Sequence, residues 1–485
     1  MIISTYSLMR NFIKPSKTVI FASHFYMSLI KSISGIRGTI GGVPNENLTP
    51  LDVVKFASAY GTWILRQNPT AKVVVGRDAR ISGPMISELL IQTLLGLGIT
   101  VIDLGLSTTP TVEMAVPAEN ADGGVILTAS HNPKQWNALK LLNNKGEFIS
   151  GEEGQLLLEI ASNEDFSFAT VDNLGQRINK DYLQYHIDEI LKLPLVKPEL
   201  IKSKKFKIAI DPVNSVGAIA IPAMLRALGV EDIIVINDEV NGHFAHNPEP
   251  LTEHLGEISS LVKSEKCNLG IVVDPDVDRL AFISEDGEMF GEEYTLVSIA
   301  DYVIKHNPGA TVSNLSSTKA LRDVTEKAGQ QYFASAVGEV NVVKAMKENN
   351  AVIGGEGNGG IIVPELHYGR DALVGVALFL SHLAEMDMKI SHLRSKYPTY
   401  QMSKNKAELN PEMDVDFVLA EIEKKYSKHP INTIDGVKIE FDGDWVHLRK
   451  SNTEPIIRIY AESTSLTTAE NLTKKILQDI GDIIE

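Results

Sequence analysis

The chain has 485 residues, 46 Lys and Arg against 62 Asp and Glu, a formal charge of −16 and 44% apolar residues. At roughly 150 residues per domain this is enough for three or four domains, and the acidic balance excludes a nucleic-acid-coating surface, so anionic ligands must be caught in local positive pockets. The lone cysteine, Cys267, excludes an intrachain disulfide and a cysteine-based zinc site, and no run reaches the ~18–20 apolar residues that span a bilayer, so a cytoplasmic protein without membrane or nucleic-acid partners is expected. Residues 1–29 carry Arg10, Lys14 and Lys17 before a short apolar patch at 19–22. They read as a disordered extension ahead of the fold.

From residue 30 onward, β-branched runs alternate with helical stretches. Lys72-Val73-Val74-Val75 runs into Gly76, a helix is expected over 85–97, and Ile99-Thr100-Val101-Ile102-Asp103 follows. Further strands are expected at 123–127, 207–210, 232–236, 269–273 and 351–353. Strands alternating with helices predict an α/β chain with mainly parallel sheets. A strand entering a polar or glycine-rich turn recurs in three successive blocks, which gives three mixed α/β domains at 30–170, 171–289 and 290–398. The segment 395–411, rich in Lys, Pro, Tyr and Asn, reads as a linker into a smaller α+β unit, 399–485. That unit has helices at 415–426 and 466–480 and strands at 436–441, 445–449 and 456–461.

Ligand chemistry in such sheets gathers at the carboxyl ends of strands, and four loops there carry it. Thr128-Ala129-Ser130-His131-Asn132-Pro133 follows a strand. It lacks the Gly-x-Ser-x-Gly elbow of hydrolases, while Lys134 and Lys140 add positive charge that suits phosphate on Ser130. Asp274-Pro275-Asp276-Val277-Asp278-Arg279 alternates three carboxylates that can converge on one hard divalent cation, with Arg279 offering a guanidinium to a phosphoryl group. Glu285 falls at the twelfth position of a calcium hand, but Arg279 stands where that loop needs glycine and strands flank it. A phosphatase with Asp274 as nucleophile would want Thr at position 278.

Gly354-Gly355-Glu356-Gly357-Asn358-Gly359-Gly360 contains a literal Gly-x-Gly-x-x-Gly, yet Ile361-Ile362-Val363-Pro364 continues extended where a dinucleotide site needs a helix. Glu356 and Asn358 suit vicinal hydroxyls of a polyol, with glycines admitting close backbone approach; a hairpin-like turn is the competing reading. Arg449-Lys450-Ser451-Asn452-Thr453-Glu454-Pro455, with Arg458 beyond it, collects the amide, hydroxyl and guanidinium donors of a phosphate cradle.

These four loops, one per domain and in this order, together with Ser34-Gly35-Ile36-Arg37-Gly38, resemble the α-D-phosphohexomutase superfamily over residues 30–485. The resemblance implies a phosphoserine enzyme: Ser130 carries the phosphoryl group, Ser130, Asp274, Asp276 and Asp278 bind Mg²⁺, and Arg37 and Arg279 act at the transferring group. Lys140 matches the family's general acid/base and His131 lies beside the phosphoserine. Glu356 and Asn358 would hold the sugar, and Arg449, Ser451, Asn452, Thr453 and Arg458 the phosphate that is not reacting. The implied substrate is a hexose phosphate, with a sugar 1,6-bisphosphate as intermediate and activator, in a monomer or homodimer. The Gly-Gly-Glu-Gly-Asn-Gly-Gly run is similar to the phosphoglucosamine mutase branch and to related phosphogluco/phosphomannomutases. Two departures stand out: Asn137-Ala138 replaces the usual Asn-Gly, and the sugar loop lacks the family's histidine, for which His367 is the candidate replacement.

Overall fold

The computed structural model describes residues 28–32, 35–408, 413–450 and 456–484; the proposed extension lies almost wholly outside them. The first sheet contains β1 (Ile30–Ser32), β2 (Gly35–Thr39), β3 (Lys72–Arg77), β4 (Thr100–Leu106), β5 (Gly123–Leu127), β6 (Trp136–Leu142) and β7 (Arg177–Asn179), in the order β1-β2-β6-β5-β3-β4-β7. The second has β8 (Lys207–Asp211), β9 (Asp232–Val235), β10 (Leu269–Val273) and β11 (Leu280–Ser284), ordered β11-β10-β8-β9. The third has β12 (Thr311–Asn314), β13 (Tyr332–Ser335), β14 (Ile353–Glu356) and β15 (Gly360–Ile362), ordered β13-β12-β14-β15.

The three sheets share a plan. In each, a first strand lies between two parallel neighbours, and the later neighbour returns as an antiparallel hairpin: β5–β6, β10–β11 and β14–β15. Ser130, the three aspartates and residues 357–359 of the glycine-rich run occupy the hairpin loops of these equivalent positions. The repeat suspected from the sequence is therefore a topological one, and it puts one chemical loop at the same end of each sheet. The first sheet also takes its edge strand β7 from residues that the sequence reading gave to the second domain, because Arg177 pairs with Asp103 of β4 at 2.5 Å while β7 runs parallel to that strand.

The second and third sheets share one continuous core. Helix Ala372–Met386 is buried on nearly all its faces, and Phe379 stacks on Phe282 of β11 with ring centroids 3.8 Å apart. The first and last units have cores of their own. The last is an antiparallel sheet of β16 (Gln401–Glu408), β17 (Ile431–Asn432), β18 (Val437–Glu440), β19 (Trp445–Lys450) and β20 (Ile456–Ser463), ordered β16-β20-β19-β18-β17, under two helices. Here the linker reading of 395–411 is corrected: residues 401–408 of it are β16, paired with β20 along its whole length. Among the described residues no helix is long and apolar enough to cross a membrane.

The last unit docks on the third. Lys438 Nζ donates to the Leu315 carbonyl at 2.7 Å and lies 3.9 Å from the Trp445 ring centroid. His447 Nδ1 meets Ser316 Oγ at 2.9 Å and its Nε2 meets the Asp435 carbonyl at 2.6 Å. Burial, opposed by the Asp435 carbonyl, holds His447 down to about 4. The unfolded chain, with its histidine near 6.5, takes up a proton between these values that the native state refuses, so stability falls as pH drops from 6.5 toward 4. The effect is on the order of 3 kcal/mol. His447→Gln should remove that part of the slope in urea midpoints measured at neutral and acidic pH; an unchanged slope contradicts this assignment.

Candidate active site

The Ser130 loop is built from its anchors outward. Ser130 has φ 48, a left-handed geometry that is costly for a non-glycine residue, and side chains from the β3 end hold it there. The Thr128 hydroxyl accepts from the Ser130 amide at 2.9 Å and donates to Asp78 at 2.6 Å. Arg80, fully buried, donates to the carbonyls of Ser130, Asn132, Pro133 and Trp136 and pairs with Asp78 at 3.1 Å. Sequence reasoning missed Asp78 and Arg80, although their run Gly76-Arg77-Asp78-Ala79-Arg80 follows a strand just as the other loops do. Burial, countered by Arg80, pushes Asp78 up to about 6.

The aspartate loop from the second sheet meets this serine. Ser130 Oγ donates to Asp274 Oδ2 at 2.6 Å, and both residues are buried. The other Asp274 oxygen accepts the amides of Asp278 and Arg279 at 3.1 and 3.0 Å, which closes the loop on itself. Val277, at φ 64, pays strain for that closure. Asp276 Oδ2 accepts from Thr109 at 2.6 Å and from Lys140 at 2.8 Å, while Asp278 Oδ2 accepts from Lys140 at 3.2 Å and from Arg370 at 2.7 Å. Burial, then Asp278 and Asp276, pushes Asp274 well above the usual carboxylate range.

Burial pulls the Lys140 ammonium down, but Asp276 and Asp278 outweigh it and the group is raised. Lys140 thus stays an ammonium while those partners hold it. The three carboxylates lie close enough to share a cation, and Asp276 Oδ1 and Asp278 Oδ1 are buried without a donor. An all-oxygen set with two orphaned oxygens and a serine hydroxyl beside it fits a hard dication such as Mg²⁺.

Cationic groups surround the serine. Arg37, from β2, donates to Asn132 at 3.3 Å, and Arg279 reaches Glu249 at 3.0 Å with its Nε unpartnered. His131 sits 3.8 Å from Glu249, and burial, then Arg279, depresses it well below the ordinary histidine range, so it is neutral.

The third loop is tied to its surroundings. Glu356 ends β14, where Asn314 and the Gly338 amide donate to its Oε1 at 2.8 and 3.1 Å and Arg370 to its Oε2 at 3.0 Å, which leaves Oε2 with acceptor capacity. Asn358 accepts from its own loop at the Gly360 amide, 3.2 Å away. The glycines serve packing: a Cβ on Gly357 would meet Glu293 at 1.9 Å and one on Gly359 the Leu280 carbonyl at 2.2 Å. Arg370, also missed in the sequence, joins the loops, bonding Asp278, Glu356 and, at 2.9 Å, Glu339.

His367 does not stand in the sugar loop; it faces Glu113 and Asp371. In the last unit Arg449 pairs with Asp435 at 2.8 Å and Arg458 is exposed on β20; Ser451, Asn452 and Thr453 lie outside the described residues. Among those described, no hydrogen bond or ion pair joins this unit to Ser130 or the aspartates.

A serine hydroxyl bonded to a carboxylate cluster able to hold a dication, shared between repeated α/β domains, fits a phosphoryl-transfer enzyme of the phosphohexomutase kind. The chain belongs to the phosphoglucomutase/phosphomannomutase family, whose α/β/α domains I, II and III match residues 30–168, 184–287 and 291–400, and whose C-terminal domain matches 405–478. A phosphoglucomutase/phosphomannomutase of Thermococcus kodakarensis is 36% identical over 435 residues, 88% of this chain and 94% of that one. A phosphoglucosamine/phosphogalactosamine mutase of Sulfurisphaera tokodaii is 33% identical over 458 residues, 93% of this chain and 98% of that one. A solved phosphoglucomutase/phosphomannomutase family protein of Burkholderia thailandensis, 24% identical, shares the fold with a TM-score of 0.80 over 93% of this chain and 98% of that one. The chain is a phosphohexomutase, an isomerase acting by phosphoryl transfer.

Proposed function

We propose that the enzyme interconverts glucosamine 6-phosphate and glucosamine 1-phosphate through a phosphorylated Ser130 and a sugar 1,6-bisphosphate. The observation that carries the reading is the 2.6 Å bond from Ser130 Oγ to Asp274 Oδ2, which joins residues 144 positions apart in two different sheets. Phosphorylated Ser130 donates its phosphoryl group to the free hydroxyl of the sugar phosphate, and the second phosphoryl group later returns to the serine oxygen. Arg37 and Arg279 would offset the charge of the transferring group, and Lys140 would supply a proton to the departing serine oxygen and be recharged by the proton that the attacking sugar hydroxyl gives up, so that none is gained or lost overall. Mg²⁺ held by Asp274, Asp276 and Asp278 would neutralise charge on the phosphoryl oxygens. Arg80 and Thr128 orient the serine, so that little order is lost at the moment of transfer. Arg449, Arg458 and the loop between them would hold the idle phosphate as the last unit closes.

The amino sugar is favoured by the Sulfurisphaera tokodaii relative and by a probable phosphoglucosamine mutase of Pyrococcus abyssi, 32% identical over 93% of this chain. A second reading, glucose and mannose phosphates, has the Thermococcus kodakarensis relative behind it. Side-by-side kcat/KM values on glucosamine, glucose and mannose 6-phosphates, with Mg²⁺ and the matching bisphosphate, decide between them. A preference of about tenfold or more for glucosamine phosphate, some 1.4 kcal/mol in the transition state, is expected. Equal or greater efficiency on a neutral sugar contradicts the specificity but leaves the chemistry standing.

A further inference from the structure

A second cluster lies where helix Thr109–Ala118, helix Leu183–Leu191 and the turn before helix Ala372–Met386 meet. His186 and Asp371 are fully buried, and the His367 side chain is 10% exposed. His186 Nε2 stands 2.9 Å from Asp371 Oδ2, and His367 Nε2 stands 3.4 Å from the same oxygen. One ligand-type atom from each lies within 4.8 Å of the others.

The remaining polar atoms of His186 and Asp371 are turned outward to fixed partners, while that of His367 faces a carboxylate without a hydrogen bond. His186 Nδ1 is 3.0 Å from Thr111 Oγ1, and Asp371 Oδ1 caps the following helix by accepting the Leu373 and Val374 amides at 2.7 and 3.3 Å. His367 Nδ1 faces Glu113 Oε2 at 3.4 Å. Metal-binding histidines commonly have the far nitrogen oriented by a carboxylate or hydroxyl, as His186 has; an ion would replace the near-side contacts of both histidines with Asp371.

Glu113 is an independent sign. Its side chain is 1% exposed, neither oxygen accepts a hydrogen bond, and a Cβ on Gly369 would sit 1.9 Å from Oε2. A carboxylate sealed away without a donor is costly, and the cost falls if an imidazole N–H is directed at it by a cation bound to the other ring nitrogen.

We propose that His186, His367 and Asp371 bind a divalent transition-metal cation of the zinc class, with Glu113 orienting His367 from outside the ligand set. Two imidazoles and one carboxylate are a zinc donor set, whereas the all-oxygen aspartate loop suits magnesium. The ion is structural. Its ligands flank two of the side chains that steady the aspartate loop from outside: Thr109, on the helix bearing Thr111 and Glu113, bonds Asp276, and Arg370, next to Asp371, bonds Asp278.

The test uses full-length protein stripped with chelator, then given zinc in excess Mg²⁺ to fill the aspartate loop, gel-filtered and assayed for metal. About one zinc per chain is expected, lost in His186→Gln and in His367→Gln, with circular dichroism to verify folding. Cobalt(II) substitution reads the same site without any variant: strong visible bands of a four-coordinate centre are expected, and the weak bands of six-coordinate oxygen ligation count against it. Stripping should also lower the melting midpoint of the parent protein but not of the variants. No retained zinc, or equal retention in both variants, overturns the proposal and leaves a metal-free His–Asp–His hydrogen-bonded network.

Discussion

Ser130→Ala is expected to lower mutase turnover by on the order of 10⁶-fold, the scale reached when an activated serine nucleophile is deleted. Among the described residues no other hydroxyl meets Asp274: Thr109 bonds Asp276 instead, and Thr128 is committed to Asp78. The loop should survive the change, since Arg80 and Thr128 grip the backbone of the serine loop rather than the Ser130 side chain; a single lost hydrogen bond is worth about 1 kcal/mol. Steady-state assays with a bisphosphate primer, beside urea unfolding, separate the two effects. An Asp274-centred phosphatase would release inorganic phosphate and be indifferent to Ser130→Ala. Turnover within tenfold of the parent enzyme would therefore discard the serine chemistry.

The largest loss of stability is expected from Arg80→Met. The side chain fits the space, but Asp78 is left as a buried charge without its partner and four carbonyls lose their donor. Breaking a buried pair from one side costs about 3–5 kcal/mol. Activity should fall with it, because Ser130 holds its left-handed backbone only while its carbonyl and amide are tied. Asp78→Asn added to Arg80→Met should recover part of the stability and little of the activity. Urea midpoints that match the parent protein would show that the guanidinium is not what secures this loop.

Much of this centre could be read from the sequence because its chemistry comes in contiguous runs at strand ends. Ser130 and the alternating aspartates carry their signal within six residues each, and β-branched runs announce the strands before them. Arg80 and Arg370 were missed for the opposite reason. Each is one cation whose partners come from distant segments, and nothing in Asp78-Ala79-Arg80 or Gly369-Arg370-Asp371 says which carbonyl or carboxylate it will meet. Strand β16 was mistaken for a linker because only Ser403 and Ala407 of its eight residues are buried, and Asn405 between them is exposed, so the alternation that marks a half-buried strand is missing. Lys404 and Lys406 on that edge strand added to the appearance of a loop. Glu356 stands out in the sequence as the one carboxylate of the glycine-rich run, but composition could not reveal that Arg370, Asn314 and Gly338 donate to it.

The decisive experiment is mass spectrometry of the intact protein and its peptides after exposure to a hexose 1,6-bisphosphate, then after a chase with hexose monophosphate. One phosphate should appear on Ser130 and leave during the chase as bisphosphate forms. A phosphate found on Asp274, or full activity in protein that never carries one on Ser130, would contradict the mechanism.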